Sequence, residues 1–322
     1  MKKIAVLTSG GDAPGMNAVI RAVVRTGCEN GLEVYGVERG YSGLINGDFI
    51  PMNLRSVSDI INRGGTILYS ARCPEFRTEE GMQKAIQTCK EFGIEGVVVI
   101  GGDGSFRGAR DLSERGIPCV GIPGTIDNDI ACCDYTIGYD TCLNTIMELV
   151  DRIRDTTESH DRCSVIEVMG RHAGYLALNS GIACGATAIL IPEVPVDIQK
   201  HVIERMQRTM KADKKHFIIL AAEGACVDVQ QLAKEIEAKT GVESRATILG
   251  HTQRGGYPTA KDRIKATQMG YYAVKKLLMN DIGNRVVACQ KEKILDYDIF
   301  EALQMTKSID KELYEIAHEV SI

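Results

Sequence analysis

The sequence predicts an α/β protein with doubly wound, mainly parallel sheets. Short apolar runs with little polar alternation recur along the chain, as expected of strands covered on both faces. Helical patterns of 10 to 20 residues separate them, the length a crossover between parallel strands needs. The 322 residues are enough for two hydrophobic cores rather than one.

Taken in order, the expected strands cover residues 4–8, 32–37, 96–102, 117–123, 163–170, 187–193, 216–224 and 246–251. Between the first two, Ile20, Val23 and Val24 recur at helical spacing within residues 16–30, and residues 258–280 form a second long helical pattern. A long helix follows the loop around Thr125–Ile130, which places a boundary near 138–140. The expectation is two Rossmann-like domains, one of residues 1–138 plus about 252–302, the other of 139–251 plus about 303–322.

A net charge of −5 lacks the basic excess of a nucleic-acid footprint. The eleven cysteines are scattered, odd in number and without CxxC spacing, so neither a disulfide framework nor a zinc site is expected. Free thiols fit a reducing cytosol. The first apolar run has about four residues, short for a signal peptide, and no apolar stretch approaches the length of a membrane span.

In such sheets ligands bind beyond the carboxyl ends of the strands, where the chemistry of this sequence gathers. "TSGGDAPGMN" (residues 8–17) and "IGGDGSFRG" (residues 100–108) each run from strand through glycines into a helix. Bare backbone and a helix start suit phosphate, and Asp103 among the second set of glycines suits Mg²⁺ beside phosphates. Neither loop is a P-loop or a dinucleotide fingerprint, and tight strand–helix turns need glycine in any case. A third loop, "PGTIDNDI", carries Asp127 and Asp129 two residues apart. Asn128 reads as a turn residue. The two aspartates beside Thr125 read as chemistry, since phosphoryl transfer needs one base for the acceptor hydroxyl and groups that organise charge. Arginines complete the picture. Arg72, Arg77, Arg162, Arg171, Arg245 and Arg254, with His251, suit bidentate phosphate capture, although each one singly is more often a solvated surface residue. Arg21 and Arg25 share one helix face, with Arg55, Arg154, Lys214 and Lys215 also available.

With these residues assembled, the chain resembles the bacterial ATP-dependent 6-phosphofructokinases along nearly its whole length. "VLTSGGDAPGMNA", "INRGGT", "SARCPEF", "VVVIGGDGS", "PGTIDNDI", "ESHDR", "VIEVMGRHAG", "AAEG" and "GHTQRGG" follow the family's order. The resemblance implies that MgATP phosphorylates the 1-hydroxyl of fructose 6-phosphate. Asp127 resembles the general base, Thr125 and Asp129 its neighbours, and Arg171 and Arg72 the transition-state stabilisers. Gly11, Arg72, Cys73, Arg77, Asp103, Gly104, Ser105 and Gly108 resemble the nucleotide and magnesium side, which gives the first domain to ATP. Thr125, Ile126, Asp127, Arg162, Met169, Gly170, Arg171, Glu223, Arg245, His251, Thr252, Gln253 and Arg254 resemble the sugar-phosphate side. In the family the equivalents of Arg162 and Arg245 come from a neighbouring subunit of a homotetramer. Pyrophosphate-using relatives carry an aspartate at the position of Gly104 and a lysine at that of Gly124, so two glycines favour ATP.

Arg21, Arg25, Arg55, Arg154, Gly185, Lys214, Lys215 and His216 match the family's effector site for ADP or phosphoenolpyruvate. There Thr187 stands in place of a usual glutamate, Ala212 of an arginine and Asp213 of a glycine, while Tyr175 replaces a common aspartate. One cation fewer and one anion more weaken the hold on a phosphorylated effector, by a few kcal/mol where the lost contact is a buried charged hydrogen bond. Three other readings stand beside this one: a pyrophosphate-dependent kinase, a relative of the NAD and lipid kinases that share "GGDG", and a nucleotide sensor without catalysis. The last two leave "MGRHAG" or Asp127 without a task.

Overall fold

The computed structural model describes residues 1–225 and 227–321, and by contact the chain separates into two compact units. The first comprises Met1–Ile126, Ile130–Thr141 and Arg254–Lys307; the second takes Asp127–Asp129, Cys142–Gln253 and the chain from Ser308 on.

In the first unit the strands are β1 (Lys3–Thr8), β2 (Glu33–Val37), β3 (Phe49–Met52), β4 (Gly96–Gly101), β5 (Cys119–Pro123), β10 (Arg285–Gln290) and β11 (Lys293–Asp298), in sheet order β11-β10-β5-β4-β1-β2-β3. The pairings from β10 through β2 are parallel, and β3 and β11 add antiparallel edges. Ile4 to Leu7 and Val97 to Ile100 are wholly buried, which explains why their sequences do not alternate. The helices are α1 (Met16–Glu29), α2 (Tyr41–Asn46), α3 (Glu79–Phe92), α4 (Asp103–Glu114), α9 (Ala260–Tyr272) and α10 (Ile299–Ala302); α5 (Tyr139–Ser159) starts here and belongs mostly to the second unit. Helix α3 is capped at both ends. Thr78 accepts the Gly81 N–H ahead of α3, and left-handed Gly93 closes it. The expected helix over 258–280 is α9 followed by a π turn and a 3₁₀ turn.

The second unit holds the four-stranded parallel sheet β7-β8-β6-β9, with β6 at Cys163–Val168, β7 at Ala188–Leu190, β8 at Phe217–Ala222 and β9 at Ser244–Ile248. Around it lie α6 (Tyr175–Ala183), α7 (Glu204–Met210), α8 (Val229–Thr240) and α11 (Lys311–Val320). Its core joins Val165, Ile203, Met206, Phe217, Ile219, Leu232 and Ile236.

Two buried polar contacts fix chain returns. In the first unit, Asp262 in the first turn of α9 is 0% exposed. Its carboxylate accepts from the Tyr135 hydroxyl, from the Gly138 N–H at 2.7 Å, and from the Thr141 N–H and hydroxyl at 2.9 and 2.5 Å. Burial pushes this carboxyl up, against the pull of those donors. In the second unit, Arg205 of α7 holds the C-terminal helix. Its guanidinium reaches the His318 ring and the Ser321 hydroxyl, donates to the His318 carbonyl at 2.7 Å, and donates to the Thr187 carbonyl at 3.1 Å. Burial, followed by the charges of Arg205, His201 and Lys200, pushes the His318 imidazole down to about 4.

Asp262→Asn turns one acceptor into a donor facing the Thr141 N–H and hydroxyl, so unfolding in urea should show a loss of about 3 kcal/mol. A loss below about 1 kcal/mol, the size of one ordinary hydrogen bond, would refute the clamp. For His318, the unfolded chain takes a proton near 6.5 while the fold resists it until about 4. The melting temperature therefore falls as pH drops between those values and is unaffected by this group above them. His318→Gln should make that slope shallower, and identical slopes would count against it.

Candidate active site

In the first unit, the loop after β1 is sewn to the segment that carries Arg72. The Thr8 hydroxyl donates to the Tyr69 carbonyl at 2.7 Å, and Ser70 donates to the Gly10 carbonyl at 2.5 Å. Asn17 gives its amide hydrogens to the Arg63 and Gly64 carbonyls, both at 3.1 Å, and accepts from the Ile67 N–H at 2.8 Å. Arg72 and Arg77 are exposed and Cys73 is half-buried. Phe76, between them, stacks on Tyr41 at 4.0 Å, and the Tyr41 hydroxyl donates to the Ser105 carbonyl at 2.5 Å. Gly108, expected on the nucleotide side, is bare for Tyr41: an added Cβ would sit 2.7 Å from its ring. No local motif in the sequence marks Tyr41.

Asp103 opens α4, so its carboxylate sits at a helix N-terminus, and it pairs with Arg107 at 2.9 Å. Ser105 is buried. A Cβ on Gly104 would meet nothing within 4 Å, whereas one on Gly124 would lie 3.0 Å from Ile100 and 3.3 Å from Met16. The Arg254 guanidinium covers Gly11 and donates to the Asp12 carbonyl at 3.0 Å. This residue, expected with His251, Thr252 and Gln253, thus belongs to the first unit while those three belong to the second.

In the loop after β5, Thr125 and Ile126 are buried and the Thr125 carbonyl accepts from Thr136 at 2.7 Å. Asn128 is left-handed at φ +53°, as its turn reading requires. Asp127 is only 7% exposed, and Asp129 is half-buried. Tyr175, at the start of α6 in the same unit as these aspartates, has its phenol pushed up to about 12 by burial and by the charges of Glu193 and Asp129.

The carboxyl ends of β6 and β8 meet in a strained turn. Gly170 has φ +133°, and a Cβ there would lie 2.5 Å from the Ala173 carbonyl oxygen. Arg171 is itself left-handed at φ +58°. Its N–H donates to Glu223 Oε1 at 2.7 Å, and its carbonyl oxygen lies where a Cβ on Gly224 would be 2.2 Å away. Met169 donates its N–H to Gln253 Oε1 at 3.0 Å. His251 and Thr252 are exposed, and the Thr252 hydroxyl donates to the Leu249 carbonyl at 2.6 Å. Arg162 and Arg245 are not part of this group within one chain. They sit at the amino ends of β6 and β9 and share Glu243, at 2.9 and 2.5 Å. The length of β6 separates them from Arg171, about 20 Å at the rise of a strand.

The remaining basic residues divide between the units. In the first, a cavity of about 560 Å³ is lined by Arg25, Arg55, Glu29 and Tyr271. Arg25 Nε is buried there without a hydrogen-bond partner among the described residues. Burial, then the neighbouring Arg25, pushes Arg21 down. In the second, burial, then Arg154 and Arg205, pushes Lys214 down, and Arg154 donates to the Cys184 carbonyl next to exposed Gly185. Lys215 is exposed and His216 half-buried. Thr187 is 1% exposed, and its hydroxyl lacks a hydrogen-bond partner among the described residues. Asp213 sits at φ +61°, a conformation that suits glycine better.

Among the described residues no group of three or more His, Cys, Asp or Glu is placed to hold a metal by itself. Asp103 fits Mg²⁺ in another way, since that ion takes one or two carboxylates and completes its shell with water and substrate phosphates.

The chain has known relatives, by sequence and by fold. Residues 3–277 match the family described as phosphofructokinase. An ATP-dependent 6-phosphofructokinase from Bacillus velezensis is 54% identical over 322 residues, covering 100% of both chains. One from Clostridium botulinum is 57% identical over 317 residues, covering 98% of each. Phosphofructokinase from Saccharomyces cerevisiae superimposes with a TM-score of 0.89 at 37% identity, over 100% of this chain and 48% of that one. A pyrophosphate-dependent phosphofructokinase from Marinobacter aquaeolei shares the fold, with a TM-score of 0.85 at 22% identity over 97% of this chain and 86% of its own. A match over most of the length, by sequence and by fold, makes this chain a member of the phosphofructokinase family.

Proposed function

We propose that this phosphofructokinase transfers the terminal phosphoryl group of ATP to the 1-hydroxyl of fructose 6-phosphate, giving fructose 1,6-bisphosphate and ADP at the committed step of glycolysis. The observation that carries the reading is Asp127, a carboxylate held 7% exposed beyond the carboxyl end of β5, where a base for an alcohol is needed. Asp127 takes the hydroxyl proton, the oxygen forms its bond to the γ-phosphorus, and the bond from that phosphorus to the bridging oxygen breaks, leaving on ADP. Thr125 and Asp129 order the loop. Arg171, fixed by its own strained backbone, and Arg72 neutralise charge on the group in transit.

Gly11, Arg72, Cys73, Arg77, Asp103, Gly104 and Ser105 serve the nucleotide, with Gly108 acting only through the room it gives Tyr41, and Met169, Gly170, Arg171, Glu223, His251, Thr252 and Arg254 serve the sugar phosphate. Bound Mg²⁺ supplies charge neutralisation on the phosphates, with Asp103 as its protein ligand. The open space at Gly104 supports a nucleotide donor, because a side chain there would occupy it. The positions of Arg162 and Arg245, a sheet length away from Arg171, support a homotetramer in which they serve a neighbouring copy. The reading places the protein in the cytoplasm. No helix among the described residues is long and apolar enough to cross a membrane.

The effector residues around Arg25, Arg55 and Lys214 are read as an altered site for ADP or phosphoenolpyruvate. Thr187 offers no carboxylate for a metal there, and Asp213 adds an anion.

Two experiments test this. Asp127→Ala should lower turnover by about 10²- to 10⁴-fold, the range for loss of a general base, with ATP binding unchanged by calorimetry. Turnover near wild type would sink the assignment. Wild type should turn over with ATP and not with pyrophosphate, and ADP or phosphoenolpyruvate should shift its fructose 6-phosphate saturation only weakly. Strong, opposite shifts by those two effectors would overturn the altered-site reading.

A further inference from the structure

The sequence pattern groups Gln253 with residues that touch the sugar phosphate, but the structure gives it another task. The side chain is 0% exposed. Its Oε1 accepts from the Met169 N–H at 3.0 Å, and its Nε2 donates to the Gly250 carbonyl at 3.0 Å. Both ends of the amide are therefore engaged within the protein, with backbone groups of two different loops. Met169 precedes Gly170 and the left-handed Arg171, and Gly250 opens the 3₁₀ turn that carries His251 and Thr252.

We propose that Gln253 is a positioning residue that ties the Met169–Arg171 turn to the Gly250–Arg254 turn, so that Arg171 is held in its strained conformation and in register with His251. The inference rests on the functional reading of Arg171 given above. The physical case is a division of labour between two side chains. Arg171 occupies a region of backbone space that an L-residue adopts only when its surroundings impose it. Glu223 holds the N–H of Arg171 from one side. Glu223 is exposed, so water competes for its carboxylate. Gln253 is shielded from water, so solvent does not compete for its amide, and its loss leaves the half-buried Met169 N–H and Gly250 carbonyl without their protein partner. A small displacement of a group that stabilises a transition state is costly in rate, with about 1 Å able to cost ~10²-fold.

The test combines hydrogen exchange with kinetics. In the wild-type protein the Met169 amide should exchange slowly, like the amides of β6. In Gln253→Met, which keeps the volume and loses both hydrogen bonds, that amide should lose protection while β6 keeps it. The kcat should fall by ~10-fold or more, with KM for ATP within about twofold. Gln253→Glu retains an oxygen acceptor for Met169 but loses the donor to the Gly250 carbonyl, so it should keep the Met169 protection and lose less kcat than Gln253→Met.

A wild-type Met169 amide that exchanges freely would overturn the proposal even if both variants failed to fold. So would a Gln253→Met protein with wild-type kcat and only a lowered melting temperature, because that is the signature of a purely structural residue. A Gln253→Glu protein as slow as Gln253→Met despite a protected Met169 would overturn it too. Failure of wild type to phosphorylate fructose 6-phosphate would instead sink the functional reading, and the exchange measurements would still decide whether the clamp exists.

Discussion

Backbone N–H and C=O groups inside a protein must find partners, and beyond the last residue of a strand no ladder remains to supply them. Sheets covered on both faces push their polar chemistry into such post-strand loops, so the same loops that hold glycines and charges also hold buried backbone in need of bonds. This protein meets that constraint with single polar side chains enclosed by the fold. Asn17 serves the chain around Gly64, Gln253 serves Met169 and Gly250, and Asp262 serves Gly138 and Thr141. Each is in or near a glycine-bearing loop, and none needs to touch a ligand to shape what a ligand would meet.

This also sets the limit of what a sequence discloses. The strands of both sheets that are buried on two faces were legible because runs such as "VVVI" are apolar without a gap, β-branched and too short for a helix. Strands β3, β10 and β11 were missed. β10 and β11 form a hairpin that turns on Lys291 and Glu292, both left-handed at φ +46° and +66°. Such turns normally advertise themselves with Asn or Gly, and here the signal is absent. The hairpin is tied instead by the Lys291 N–H to Asp134 at 2.9 Å and by Lys265 to Glu292 at 2.6 Å, both far apart in sequence. β3 is an edge strand interrupted by Pro51 and largely exposed.

The charged and glycine-rich loops stand out in the sequence as a set, since polar residues and glycines at strand ends contrast with an apolar background. The enclosed polar groups were not. Gln253 looks like any other member of "GHTQRGG", and Asp262 like an ordinary first-turn helix acid, until burial shows what each one holds. Arg162 and Arg245 illustrate a different gap. Their residue type signals anion binding, but their place at the amino ends of β6 and β9, with Glu243 between them, follows from parallel register alone.

The ion pair between Asp103 and Arg107 changes how a divalent cation would reach its carboxylate. The acid sits one turn before its basic partner on α4, and both side chains are exposed, so any cation that came to this carboxylate would have to displace a tethered guanidinium as well as water. Binding there would be a swap of one positive charge for another, and the start of α4 would keep a cationic partner before and after it.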